Sequence, residues 1–295
     1  MKKPVFTGAG VAIVTPMYED GKINFSLLEE LVDYQIQHKT DAIVICGTTG
    51  ESPALDNEEH VEAIKCAVSA TAKRVPVIAG TGSNDTAYAV SLSNEAEQAG
   101  ADALLMVTPY YNKTSQHGLI EHYNFIADRV STPIITYNVP SRTGMDIKPE
   151  TYLELSKNPK IVGAKEANGS ISALAKTIAL CGDELYMYSG NDDQITALMS
   201  LGGKGVISVL SNILPEIAHD IAAKYLEGDC AESARLQLEY LDLCNDLFCD
   251  VNPIPVKAAM CMMGINVGRC RLPLGTLNDA AQATVLKALK NHSLV

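Results

Sequence analysis

The feature that most limits the fold is a rhythm of eight short apolar runs separated by longer stretches of helical periodicity. The runs are residues 10–16 (GVAIVTP), 41–47 (DAIVICG), 75–82 (VPVIAGTG), 101–109 (ADALLMVTP), 133–139 (PIITYNV), 160–166 (KIVGAKE), 185–190 (LYMYSG) and 205–211 (GVISVLS). A strand with one wet face alternates apolar and polar residues, whereas a parallel strand covered by helices is apolar almost throughout. These runs are rich in Val, Ile and Ala and nearly continuous, so they predict parallel strands.

The stretches between them read as amphipathic helices. Residues 26–37 follow two N-cap candidates, Asn24 and Ser26, and residues 57–72 open on Asn57 with acids near the positive helix end. Gly100, Gly182 and Gly202–Gly203 supply stops. Eight strand-then-helix units predict an α/β fold, a closed (β/α)8 TIM barrel. The rival is an open doubly wound sheet, but no G-x-G-x-x-G follows the first run, and eight is the number that closes. After residue 212 the strands stop. Residues 215–228 complete the barrel; 230–248 and 252–264 read as further helices. No Ser- or Gly-rich linker intervenes, so residues 1–227 are predicted to form the barrel and 228–295 a helical region packed on it.

Composition excludes several functions. The net charge of −12 repels nucleic acid and anionic membranes, leaving a local positive site as the way to hold an anionic substrate. The eight cysteines form no C-x-x-C; Cys46, Cys66, Cys181 and Cys261 fall in apolar patterns and read as reduced, packed thiols. No apolar run reaches the roughly 20 residues that span a bilayer, and the first residues lack a signal-like apolar segment. A cytoplasmic protein is expected. The six histidines show no ligand-like pairing, and no nucleophile elbow, P-loop or dinucleotide fingerprint is present, so no metal and no cofactor is expected.

In such barrels chemistry sits at the carboxyl ends of the strands. Those ends carry GTTGES (47–52), TPYYNK (108–113), Tyr137 and Arg142, Lys165 and Glu166, SGND (189–192) and VLSN (209–212). Alternation places Ile161, Gly163 and Lys165 on one face of their strand and Val162, Ala164 and Glu166 on the other. Burying an ammonium is costly, and a desolvated neutral amine attacks carbonyl carbons to form Schiff bases. A lysine snorkelling to solvent or to an ion pair fits the pattern equally well. Lys113 is a loop rival, and Lys204, preceding a strand, belongs to the far face. GTTGE fits a small carboxylate, with glycines for close approach and hydroxyls as donors, or simply a Gly-rich turn. Tyr111 and Tyr137 read as half-buried packing or, with Thr48, as a hydroxyl chain that passes protons. Arg142 reads as a surface ion-pair partner or as a fork for a second carboxylate.

GTTGE (47–51), TPYY (108–111), YNVPSRTG (137–144) and GAKEA (163–167), in that order, resemble the pyruvate-dependent class I aldolases, and among them the dihydrodipicolinate synthases. The likeness runs from GVAIVTPM through NPIPVKAAM to RLPL. It implies that Lys165 condenses with pyruvate, that Tyr137 moves protons at the imine, and that Thr48 and Tyr111 relay them, Tyr111 crossing into a neighbouring subunit. Thr49 would hold the pyruvate carboxylate, Gly190 and Ile207 would line its pocket, and Arg142 would receive the carboxylate of L-aspartate 4-semialdehyde. A homotetramer, a dimer of dimers, is implied. Relatives acting on sugar acids or N-acetylneuraminate usually lack an arginine at the position of Arg142; a non-catalytic keto-acid-binding barrel is the remaining alternative. His60, Asn84, Tyr88 and Tyr110 match a pocket that takes lysine as inhibitor. Tyr88 replaces the usual glutamate there and Asn57 a histidine, leaving a nearby acid such as Glu51 as the expected substitute.

Overall fold

The computed structural model describes residues 2–295. Eight parallel strands close in sequence order: β1 (Gly8–Ala12), β2 (Ala42–Ile45), β3 (Val77–Gly80), β4 (Ala103–Val107), β5 (Ile134–Asn138), β6 (Ile161–Glu166), β7 (Tyr186–Ser189) and β8 (Gly205–Ser208). Each lies inside its predicted run except β1, which starts two residues earlier. Closure explains the shift. β1 pairs with β8 from Gly8 opposite Gly205, and a Cβ on Gly205 would sit 1.8 Å from the Gly8 carbonyl oxygen. Residues 13–16 then leave the ladder; Val14 N–H donates to Asn212 Oδ1 at 3.0 Å, and Thr15 Oγ1 to the Gly50 carbonyl at 2.7 Å.

Two apolar layers follow from the barrel's two faces. Inside lie Ala42, Val44, Ile78, Leu105, Ile135, Tyr137, Tyr188 and Ile207, with Phe6 stacked on Tyr188 at 4.5 Å. Outside, one larger cluster joins the other strand faces to the helices. The helix Asn57–Thr71 opens on Asn57 as expected, and the residue before it, Asp56, is the cap: Asp56 accepts from Glu59 N–H at 2.8 Å while Glu59 reaches back to Asp56 N–H. Asn24, not Ser26, caps Phe25–Gln37.

Residues 228–295 pack against the barrel, and Leu236, Leu243, Val256 and Leu289 share the outer apolar cluster. The predicted helix over 230–248 is broken into Cys230–Glu239 and Leu241–Asp246. The break falls at Tyr240, which stacks at 4.7 Å on His292, the cap that follows the last helix, Asp279–Asn291; His292 in turn bonds Asp242. Tertiary packing thus overrides a continuous helical pattern. Cys46, Cys66 and Cys181 are buried as expected, but Cys261 is exposed, because its turn of the helix Ile254–Met262 faces a cavity of about 1270 Å³.

One buried ion pair ties this region to the barrel. Lys257 Nζ lies 2.9 Å from Glu51 Oε1 and also donates to the carbonyls of Thr15 and Arg269, at 3.1 and 3.0 Å. Arg271 N–H donates to Glu51 Oε2 at 2.8 Å. Removing one partner of such a pair strands a charge in a dry interior, at a cost on the order of 3–5 kcal/mol. Lys257→Ala is therefore expected to lose that much stability in equilibrium urea unfolding. Arg235→Ala, which removes only surface pairs with Glu232 and Glu239, should lose less than about 1 kcal/mol. Equal losses in the two variants would contradict this account of the pair.

Candidate active site

The site is assembled by β5 and β6. Tyr137 and Lys165 are direct partners across these strands, and Val107 of β4 pairs with Tyr137 on the other side. The register between β5 and β6 slips once, from Ile134 opposite Ile161 to Ile135 opposite Gly163. That slip corrects the face reading: Ile161 joins Ala164 in the outer cluster, while Tyr137 points inward with Ile135. Lys165 is 5% exposed, and its Nζ lies 4.3 Å from the Tyr137 ring centroid. Among the described residues no carboxylate is within ion-pair distance of it, whereas the other buried lysine, Lys257, has Glu51.

The space beside Lys165 depends on Gly190, which follows β7. A Cβ there would lie 2.8 Å from Ala167 Cβ and 3.1 Å from Lys165 Cε. Ile207, fully buried in β8, belongs to the same inner layer. The GTTGE turn leaves β2 through Cys46 and reaches Glu51, both with positive φ. Thr48 is half-buried and Thr49 buried; Thr49 Oγ1 accepts from Asn252 Nδ2 at 3.0 Å. Arg142, in the short helix Pro140–Thr143, is exposed, and its Nη2 donates to the Asn252 carbonyl at 3.2 Å.

Tyr111 stands apart. Its φ is +67° and it is 91% exposed, so nothing in its own chain packs on the phenol. Lys113, the loop rival, is exposed, with its Nζ beside Gly144, on the Arg142 loop instead of in the barrel. Lys204 sits at the amino end of β8, on the far face as expected.

The four regulatory candidates are not equivalent. His60 is buried, its Nε2 is engaged by the Gly80 carbonyl at 2.8 Å, and burial holds its pKa below the ordinary imidazole value. Tyr88 and Asn84 are more open, and Tyr110 is half-buried. Tyr88 Oη donates to Asn57 Oδ1 at 3.3 Å, and Asn57 Nδ2 donates to Glu95 at 3.1 Å. The acid beside this group is therefore Glu95, two turns further along the helix Thr86–Ala99, and not Glu51, which Lys257 occupies.

Sequence reasoning missed the support behind Lys165. On the outer face of β6, Glu166 accepts from Asn138 Nδ2 at 3.0 Å, Asn168 N–H at 2.8 Å and Tyr152 Oη at 3.0 Å. Asn138 and Glu166 are partners in register, one step beyond Tyr137 and Lys165. Asp192, after β7, accepts from the N–H groups of Val209 and Leu210 at 2.9 Å; burial raises its pKa and the Lys165 charge opposes that rise. Side-chain alternation alone places Glu166 on the face opposite Lys165, and Asn252 opens the NPIPVKAAM stretch of the family likeness without any role attached to it there.

The matches to known proteins cover the whole chain. Residues 5–292 match the model of the dihydrodipicolinate synthetase family. The chain belongs to that family. It is 50% identical over 295 residues, 100% of both chains, to the 4-hydroxy-tetrahydrodipicolinate synthase of Acetivibrio thermocellus. It is 54% identical to that of Lachnoclostridium phytofermentans, over 99% of each. Among solved structures, the chloride-inhibited dihydrodipicolinate synthase of Acinetobacter baumannii, complexed with pyruvate, superposes with a TM-score of 0.96. Identity to it is 42%, with 98% of this chain and 99% of that one covered.

Burial pushes the Glu166 carboxyl from 4.5 up to about 7, against the pull of its hydrogen-bond donors. A folded-state value above the unfolded one means that its contribution favours folding most below pH 4.5 and is lost as the pH rises through about 7. The stability of the wild type relative to Glu166→Gln should therefore improve from about pH 8 to about pH 5, by something on the order of 2–3 kcal/mol. Urea unfolding at the two pH values measures it, and a pH-independent difference would count against the assignment.

Proposed function

We infer that the chain condenses pyruvate with L-aspartate 4-semialdehyde to give 4-hydroxy-tetrahydrodipicolinate, the first committed step toward diaminopimelate and lysine. The observation that carries this reading is the buried Lys165 beside the Tyr137 ring, with no carboxylate paired to it among the described residues. A buried amine with no carboxylate bonded to it is suited to attack a carbonyl carbon. Family membership supplies the substrates.

The steps use residues already in place. The Lys165 amine adds to the pyruvate carbonyl carbon and water leaves, giving the imine. The imine withdraws electrons from the methyl group, which loses a proton to form an enamine, and the enamine carbon attacks the aldehyde. The semialdehyde's own amine then attacks the imine carbon, closes the ring and releases Lys165. Tyr137 accepts and returns protons, with Thr48 and the Tyr111 of a second copy as its relay. The exposure of Tyr111 supports that crossing: a bare phenol in a strained backbone position fits a residue completed by a neighbour. Thr49 holds the pyruvate carboxylate, Gly190 and Ile207 line the pocket, and Arg142 takes the carboxylate of the semialdehyde. The chemistry uses the covalent imine and no added cofactor. The working form is a homotetramer built from two dimers, in the cytoplasm. No helix among the described residues is long and apolar enough to cross a membrane.

Incubation with pyruvate and borohydride should trap one pyruvate per chain on the peptide holding Lys165. Undiminished trapping in Lys165→Ala would rule out the assignment. Arg142→Ala removes a charge-assisted pair, about 1.5–3 kcal/mol, so kcat/KM for the aldehyde should fall roughly ten- to a hundredfold. The pyruvate KM should change far less. A rise confined to the pyruvate KM would move Arg142 to another subsite, and a sugar acid or N-acetylneuraminate as the better substrate would overturn the reading itself.

A further inference from the structure

We propose that Asn252, contributed by the C-terminal region, is the positioning residue that aims the Thr49 hydroxyl at the pyruvate carboxylate and ties that anchor to the one for the aldehyde. The inference rests on the reading of Thr49 and Arg142 given above.

A threonine hydroxyl can donate one hydrogen bond and accept two, and its direction is free unless a partner sets it. Binding a carboxylate requires that it donate. Asn252 Nδ2 is a donor, 3.0 Å from Thr49 Oγ1, so it takes a lone pair and leaves the Thr49 proton for another acceptor. A partner that accepted from Thr49 would have the opposite effect and leave a lone pair facing the anion. Asn252 is 4% exposed and Thr49 is 2% exposed, so water does not compete for this bond. The other end of the Asn252 amide, Oδ1, is buried without a partner in the protein. An orphaned acceptor is a cost that core packing alone would avoid, since an apolar side chain of similar size could fill the position.

The same residue serves the second substrate through its backbone. The Asn252 carbonyl accepts from Arg142 Nη2 at 3.2 Å, so the anchors for the two carboxylates meet on one residue from outside the barrel strands. Because that second contact is made by the main chain, it survives changes of the Asn252 side chain. The two contacts are therefore separable by mutation.

Asn252→Asp is the decisive variant. It is isosteric but presents oxygens where Nδ2 donated, and it adds a negative charge beside the pyruvate anchor. Its pyruvate KM should rise by more than tenfold, the factor expected when one hydrogen bond to a charged group is lost. Asn252→Ala should raise it by about tenfold. In both, the aldehyde KM should stay within about threefold, because the bond to Arg142 is to the backbone. Acting through Thr49 has a further signature. In a Thr49→Val background, Asn252→Ala should change the pyruvate KM by less than about twofold, and in a Thr49→Ser background the full dependence should return.

Wild-type pyruvate KM in a folded Asn252→Asp would overturn the proposal, as would additive effects of Asn252→Ala and Thr49→Val. A parallel collapse of kcat, both KM values and the urea midpoint would show a merely structural residue and would also overturn it. Borohydride trapping on the wild type keeps the two levels apart. If pyruvate is not trapped on Lys165, the proposed function fails; if it is trapped and Asn252→Asp binds pyruvate normally, only the role of Asn252 fails.

Discussion

The mouth of the barrel depends on one pairing, Tyr137 opposite Lys165, and that pairing depends on the slip between β5 and β6. In a strand of period two, moving the register by one residue sends every side chain to the other face. Without the slip, Lys165 would share a face with Ile161, which lies in the outer layer under the helices. With it, Gly163 and Lys165 are referred to the inner layer and Glu166 to the outer one. Gly163 also permits the close approach of β7, since a Cβ there would lie 2.9 Å from the Tyr186 carbonyl oxygen. The bond from Asn138 to Glu166 fastens the two strands immediately beyond the reactive pair, where the ladder ends and fraying would begin.

Charge is arranged against the overall balance. A chain of net charge −12 repels small anions at long range, yet Arg142 and Lys113, which lies beside Gly144, are carried by the loops after β5 and β4, and Lys165 is buried on β6. Asp192, which feels the Lys165 charge, is held by the N–H groups of Val209 and Leu210, and other acids of this region are engaged elsewhere. Glu51 is paired with Lys257, Asp146 binds Asn138 and Lys148, and Glu166 faces away behind its strand. Local cations with sequestered anions suit two substrates that each present a carboxylate to a protein that is itself acidic.

The barrel was legible because eight apolar runs of the right length have few other solutions, and because strand ends can be found from composition alone. Lys165 and Tyr137 fall on strands that the apolar runs predicted, whereas Gly190, just after β7, and Ile207, on β8, were singled out only through the family resemblance. What could not be read were features set by distant contacts. The start of β1 followed from its fit against β8, the face of Ile161 from the slip, and the break at Tyr240 from stacking on His292. The engaged ring of His60 and the proximity of Glu95 to Tyr88 likewise need three dimensions. Cys261 misled because an apolar helical pattern does not say which turn faces a cavity.

The two buried lysines show how far environment decides function. Lys257 and Lys165 are 2% and 5% exposed, and both sit in largely apolar sequence. Lys257 has a carboxylate at 2.9 Å and two carbonyls near 3 Å, which account for all three of its donors. Its work is to hold the C-terminal region against the GTTGE turn. Lys165 meets an aromatic ring and a gap kept open by Gly190. No carboxylate is within ion-pair distance of it among the described residues, which suits the imine-forming role proposed for it. The structural lysine and the chemical one also converge. Lys257 and Asn252, from one segment, grip Glu51 and Thr49 of one turn, so the anchor proposed for pyruvate would be built from the C-terminal region as much as from the barrel.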